Sequence, residues 1–171
     1  MPAASQTISD TSTTAPHISS LLRIEIAKQV ALALQEDIAT GDINAQLIPD
    51  TQRDTATIIC REPMVVAGKA WVDEVFRQLD PNMQLDWAVK DGDAVAANQI
   101  LVTLIGNTRA LLTGERTALN FLQTLSSTAT VVANHVAVIA DLPTKLLDTR
   151  KTLPMLRHAQ KYAMLCGGGN N

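Results

Sequence analysis

Leu147-Asp148-Thr149-Arg150-Lys151-Thr152 decides how this chain is read. Lys145 to Asp148 has the apolar character of a short buried strand, and two adjacent cations flanked by hydroxyls follow at its C-terminal end. Ligands of α/β architectures bind at the carboxyl ends of strands. Arg offers a planar fork for carboxylate or phosphate and Lys a compact point charge, so two anionic groups of one ligand could each find a cation. The competing reading is a solvated turn in which Asp148 pairs with Arg150. Leu156 to Met164 has helical spacing, so the segment is strand, loop and helix, the opening of a parallel βαβ series. One strand and one helix make no sheet by themselves, and a complete (β/α) barrel takes roughly 200–250 residues. The remaining strands are therefore expected outside this stretch.

Upstream, Arg109 to Ala140 contains a single glycine, Gly114, and no proline. Leu111, Leu112, Ala118, Leu119, Leu122 and Leu125 fit one or two long helices, with Ser126-Ser127-Thr128 as the expected break. Further back the texture is mixed. Ser19 or Ser20 looks like an N-cap for a helix reaching Asp37, with Leu22, Ile26, Val30, Ala33 and Leu34 at helical spacing. Ala56 to Arg61 and Val65 to Ala67 read as strands, Lys69–Leu79 as a helix behind Gly68, and Met83 to Val89 and Gln99 to Ile105 as strands around an Asp91-Gly92-Asp93 turn. The first part is thus an α+β unit.

Composition narrows the function. The 171 residues are 46% hydrophobic but only 3% aromatic, so the core is aliphatic and stacking platforms for single-stranded nucleic acid are excluded. No apolar run approaches the ~20 residues of a membrane span. Met1 to Ser20 has neither a basic nor an apolar region of a secretory signal, and residues 1–18 read as a frayed tail. Cys60 and Cys166 have no partner motif and read as reduced packing thiols of a cytoplasmic protein. The net charge of −3 conceals an asymmetry: residues 95–171 carry seven basic and three acidic groups, residues 1–94 seven and fourteen. A basic C-terminal stretch in an acidic chain suits an anionic ligand, although solvated charge alone would give the same count.

Arg116, in Gly114-Glu115-Arg116-Thr117, either snorkels to solvent or points at something other than its neighbour Glu115, which lies on a different helix face. Gly167-Gly168-Gly169 is either a flexible end or a set of backbone N–H groups for a phosphate. His158 reads as a surface or structural residue, and His17 and His135 are weaker still. No residues have metal-ligand spacing, and no Ser-His-Asp or Cys-His set is recognisable. Asp91-Gly92-Asp93 and the strand after it are similar to a lipoyl-like sandwich, but the modifiable lysine of such carriers is absent.

Taken together, the segments resemble quinolinate phosphoribosyltransferase, the decarboxylating nicotinate-nucleotide pyrophosphorylase family. They are Glu36-Asp37-Ile38 with Gly41-Asp42-Ile43, Arg61-Glu62, Ala67-Gly68, Asp91-Gly92-Asp93, the run Leu111 to Phe121, Leu147 to Thr152, Lys161-Tyr162-Ala163 and Gly167-Gly168-Gly169. The Glu-Arg-Thr-Ala-Leu-Asn and Asp-Thr-Arg-Lys-Thr segments are the most specific. The resemblance implies an α+β N-terminal domain over residues 19–117, followed over residues 118–171 by the first part of an open α/β barrel of the type II phosphoribosyltransferase kind. It implies a pentosyltransferase of NAD biosynthesis that joins quinolinate to phosphoribosyl pyrophosphate, with Mg²⁺ accompanying the pyrophosphate, as a homodimer or higher homo-oligomer. It further implies that Thr149, Arg150 and Lys151 bind substrate and that Arg116 reaches the partner subunit's site. Met155 and Ser127 depart from the pattern, each standing where the family usually has Gly. The family's later His-Arg pair, Lys and acidic residues fall beyond Asn171, so no turnover is expected of these 171 residues alone. A non-catalytic dimerisation module and a pyrophosphorylase-like paralogue with another substrate are the alternatives.

Overall fold

Alternating burial along Ile100–Asn107 shows how the first unit is assembled. Leu101, Val102 and Leu104 are buried, and this strand, β5, is the centre of a three-stranded antiparallel sheet. The computed structural model describes residues 15–39, 41, 45 and 47–171. On one side of β5 lies β1 (Arg53–Ile59), in a register pairing Thr55 with Ile105 and Ile58 with Val102, interrupted by a bulge at Ile58/Ile59. On the other side lies β3 (Gln84–Trp87), with Trp87 opposite Val102. A second antiparallel pair joins β2 (Met64–Val65) to β4 (Ala94–Val95).

Four helices among the described residues flank and extend this unit. α1 (Ser20–Ile38) starts where the Ser19 hydroxyl accepts the Leu22 N–H at 3.2 Å, a side-chain N-cap. α2 (Lys69–Leu79) buries Trp71, Val72, Val75 and Phe76 on one face. α3 (Thr108–Val138) begins directly after β5, capped by the Asn107 side chain, which accepts the Ala110 N–H at 3.2 Å. Gly114 sits where α3 crosses α2: a Cβ there would stand 2.8 Å from Phe76 Cε1. This closeness explains a glycine in mid-helix, a position that otherwise costs about 1 kcal/mol relative to alanine. α4 (Arg157–Cys166) packs Ala159, Tyr162, Ala163 and Cys166 into the same hydrophobic core, which is continuous from Ile26 to Cys166.

Several expectations are corrected. Ser126-Ser127-Thr128 does not break the helix; α3 runs through it without interruption. The reason is a partner outside the helix. The buried Ser126 hydroxyl accepts the Ala67 N–H at 3.0 Å and faces the Ala67 carbonyl at 3.2 Å, and Thr130 Oγ1 accepts the Val65 N–H at 2.9 Å. These hydroxyls serve backbone that the short β2 strand leaves unpaired. For the same reason the expected strand Val65 to Ala67 is regular only to Val65. Lys145 to Asp148 forms no strand but a single parallel bridge, Leu147 with Asn170, made by Asp148 N–H to the Asn170 carbonyl and Asn170 N–H to the Leu146 carbonyl. Only residue 170 runs alongside it, and a ladder needs a neighbour.

The triple glycine is neither a loose end nor a phosphate cradle. Gly167, Gly168 and Gly169 N–H groups bond the carbonyls of Ala163, Leu165 and Met164. With Gly168 at φ +83°, this is a Schellman closure of α4, which needs a residue without a Cβ penalty at that position. Both cysteines are free and buried, as packing thiols should be. Residues 1–14 of the expected tail, and Asp42 and Ile43, lie outside the described residues, whereas Ile18 packs against the core.

Candidate functional site

A cleft of about 320 Å³ lies where α3, residues 146–152 and α4 meet. α3 contributes Thr128, Val131, Val132 and His135; the cation loop contributes Leu146, Leu147, Asp148, Thr149, Lys151 and Thr152; α4 contributes Gln160, Lys161 and Met164. Apolar side chains thus form a wall suited to a flat ring, and two ammonium groups stand at its edge. Asp148 is spoken for: Lys161 Nζ lies 2.5 Å from its Oδ2, an ion pair whose angle is not that of a hydrogen bond. The expected Asp148–Arg150 pairing is therefore not the one made. Helical geometry carries Lys161 one turn on from Arg157 to Asp148, whereas Arg150 lies at a bend with its side chain exposed.

Of the sequence-predicted residues, Thr149 and Lys151 line this cleft together. The Thr149 hydroxyl accepts the Lys151 N–H at 3.0 Å, a local turn that sets the spacing of the two. Arg150, between them, is exposed and does not line the cleft. Arg116 lies elsewhere, in a second depression of about 300 Å³ with Leu112, Glu115, Leu119, Asn120 and Gln123. Its Nη1 meets Asp37 Oδ1 at 2.7 Å, so it points at a carboxylate other than that of its neighbour Glu115. That contact joins positions 79 apart in sequence, beyond any local pattern. The arginine side chain is 73% exposed, and an exposed pair of this kind is worth about 0–1 kcal/mol. Arg116 is consequently tethered only weakly. Twelve residues of α3 separate it from Thr128, the nearest position on that helix to line the cleft, which is about 18 Å at 1.5 Å per residue.

Lys161 and His135 are cleft residues that sequence reasoning did not single out. Lys161 had a signal, since it belongs to the Lys161-Tyr162-Ala163 segment of the resemblance. His135 had none; its Nδ1 lies 2.8 Å from the Val131 carbonyl one turn back in α3.

A buried polar chain starts from Tyr162, the neighbour of Lys161 on α4. Tyr162 O–H donates to Asp91 Oδ2 at 2.7 Å, and Asp91 Oδ1 accepts the Lys69 N–H at 3.1 Å, at the start of α2. Burial raises the Asp91 carboxyl above its usual range despite these donors. Burial, then the Asp91 charge, push the Tyr162 phenol and the Cys166 thiol upward, so both stay protonated. The Trp71 ring lies 5.5 Å from that of Tyr162, and its indole N–H donates to Gln29 Oε1 at 2.8 Å. Gln29 Nε2 in turn donates to the Met155 carbonyl at 3.0 Å. Among the described residues no cluster of His, Cys, Asp and Glu could hold a metal ion, and no helix is long and apolar enough to cross a membrane.

The chain matches two family models, the quinolinate phosphoribosyl transferase N-terminal domain over residues 37–126 and its C-terminal domain over residues 128–171. It is 42% identical over 138 residues to a probable nicotinate-nucleotide pyrophosphorylase [carboxylating] of Synechocystis sp., covering 81% of this chain and 47% of that protein. It is also 42% identical over 136 residues to the Bacillus subtilis protein of the same name, covering 80% and 47%. Among solved structures, the nicotinate-nucleotide pyrophosphorylase from Francisella tularensis superposes with a TM-score of 0.85 at 48% identity, over 92% of this chain and 57% of the other. NadC from Streptococcus pyogenes gives 0.84 at 34% identity, over 90% and 55%. The chain spans about half the length of the curated relatives it matches.

Proposed function

The chain belongs to the quinolinate phosphoribosyltransferase family, and from that premise we propose that it carries one ligand-holding edge of an enzyme that transfers a phosphoribosyl group to quinolinate with decarboxylation. The supporting observation is the cleft itself: Thr149 and Lys151 stand at the lip of an apolar wall, with Lys161 beside them. A pyridine dicarboxylate presents the complementary shape, a flat ring with two adjacent anions. On this reading Lys151 and the Thr149 hydroxyl meet one carboxylate, and the exposed Arg150 folds over the other.

The reaction forms a bond from the pyridine nitrogen to C1 of the ribose while the bond to pyrophosphate breaks, and pyrophosphate leaves with its electron pair. The C2 carboxylate then departs as carbon dioxide, its electron pair staying on C2 beside the positive ring nitrogen until C2 takes a proton. No nucleophile on the protein is required, so the residues here act by positioning and by fixed positive charge. Asp148, the one carboxylate of the cleft, is committed to Lys161, so the described residues do not fit a protein-held Mg²⁺. The ion belongs to this reading only as the companion of phosphoribosyl pyrophosphate.

Arg116 and the cleft cannot meet within one chain, because about 18 Å of helix separates them. A homo-oligomer in which Arg116 crosses to a neighbour's cleft reconciles the two, and the weak Asp37 tether leaves it available. Nicotinate mononucleotide as product and a cytoplasmic setting complete the reading.

Calorimetric titration tests it directly. Quinolinate should bind the chain, nicotinate with its single carboxylate should bind at least tenfold more weakly, and Lys151→Ala should abolish the difference. Equal affinity for the two pyridines, or none for either, overturns the assignment.

A further inference from the structure

We propose that Gln29 is a positioning residue for the cation loop, latching residues 149–156 through the Met155 carbonyl; the inference rests on reading that loop as ligand-holding. Leu153-Pro154-Met155-Leu156 is a tight turn, closed by Leu156 N–H to the Leu153 carbonyl at 3.2 Å, with Met155 at φ +65°. A turn with Pro at its second position and a positive φ at its third calls for glycine there. Met155 instead carries a long side chain that is 77% exposed, so packing does little to compensate the left-handed backbone. What holds its carbonyl is a side chain 126 positions away: Gln29 Nε2, 3.0 Å distant, on α1.

The amide is determined at both ends. The Trp71 indole can only donate, so it requires Oε1, and the Met155 carbonyl can only accept, so it requires Nε2. Gln29 is 8% exposed and Trp71 fully buried, which makes this a built contact and not a chance surface bond. The other end of the loop is fixed by Asp148 N–H to the Asn170 carbonyl. Between those two anchors lie Thr149, Arg150, Lys151 and Thr152, with the Leu153 N–H donating to the Gln160 Oε1 at 3.0 Å in an exposed contact. Release of the Met155 end lets residue 155 relax to negative φ and turns the cations away from the apolar wall.

Limited trypsin digestion reads the latch without any ligand, because the loop contains two exposed basic residues. Cleavage after Arg150 or Lys151 reports loop release, and cleavage after Arg77 within α2 reports general opening. Gln29→Leu should raise the ratio of loop to α2 cleavage roughly three- to tenfold, the worth of one hydrogen bond. Adding Met155→Gly should return the ratio to the parent value, since glycine occupies the left-handed region unaided. Should Gln29→Leu not fold, Gln29→Glu keeps the Trp71 acceptor while losing the donor, and the same rise is expected. An unchanged ratio, or a rise that Met155→Gly does not reverse, overturns the latch. Quinolinate titration on the same variants separates the two ideas: a responding ratio with quinolinate bound by no variant leaves the latch standing and removes the ligand reading.

Discussion

The buried polar chain, a floor for the fold, and the lip of the cleft are built on opposite terms. In the floor, Tyr162, Asp91, Trp71 and Gln29 are buried and linked by hydrogen bonds or a tilted ring contact across α4, the turn before β4, α2 and α1. At the lip, Arg150 and Lys151 are exposed, and their side chains pair with nothing among the described residues. A buried polar group without a partner is costly, whereas an exposed cation waits in water at little cost. The division lets stability reside in the floor while the lip keeps its charges for an incoming anion.

The sharpest way to break this contrast is Trp71→Ala. It removes a fully buried indole and its hydrogen bond, and should lower unfolding free energy by about 3–5 kcal/mol in urea denaturation. A loss near zero would show that the floor does not carry the fold.

Tyr162→Phe should cost less, about 1.5–3 kcal/mol, as expected for a hydrogen bond to a charged acceptor. It also has a pH signature. The Asp91 carboxyl is raised above 3.8 in the fold, so its contribution to stability is complete below pH 3.8 and is lost as pH rises through the raised value. The Tyr162 hydroxyl moderates that rise. Removing it should extend the loss to higher pH, visible as a melting-temperature difference from the parent that depends on pH across the acid-to-neutral range.

Asp37→Asn, which breaks the exposed pair with Arg116, should change stability by no more than about 1 kcal/mol, and less as salt is added. Smallest of all, Lys151→Ala should leave the denaturation midpoint almost where it was, within about 0.5 kcal/mol. Its effect belongs to ligand binding alone. A Lys151→Ala chain that melted early would tie the lip to the floor and erase the distinction.

What the sequence made legible divides along the same line. Periodicity located α2 to the residue and both ends of the central strand to within two, because one-sided burial writes itself into local spacing. The cation pair was visible because chemistry-bearing residues were adjacent. The continuity of α3 was not, since the polar Ser126 and Thr130 answer backbone at positions 67 and 65, a need that only the tertiary structure states. Lys161 over Asp148 and Asp37 against Arg116 were hidden for the same reason: each partner is distant in sequence. The family resemblance reached the right fold, an α+β unit followed by the opening of an α/β barrel, because it is carried by whole segments and not by pairs.

One consequence of the unbroken α3 concerns what the chain can tolerate in descent. The helix carries the Arg116 face at one end and a wall of the cleft at the other. A single inserted or deleted residue between Arg116 and Thr128 would rotate one end against the other by about 100°. Substitutions along that span are graded in effect, but a change of length is all or nothing. The bend at residues 139–144, exposed at all but Ile139, is where this lineage has room to grow or shrink.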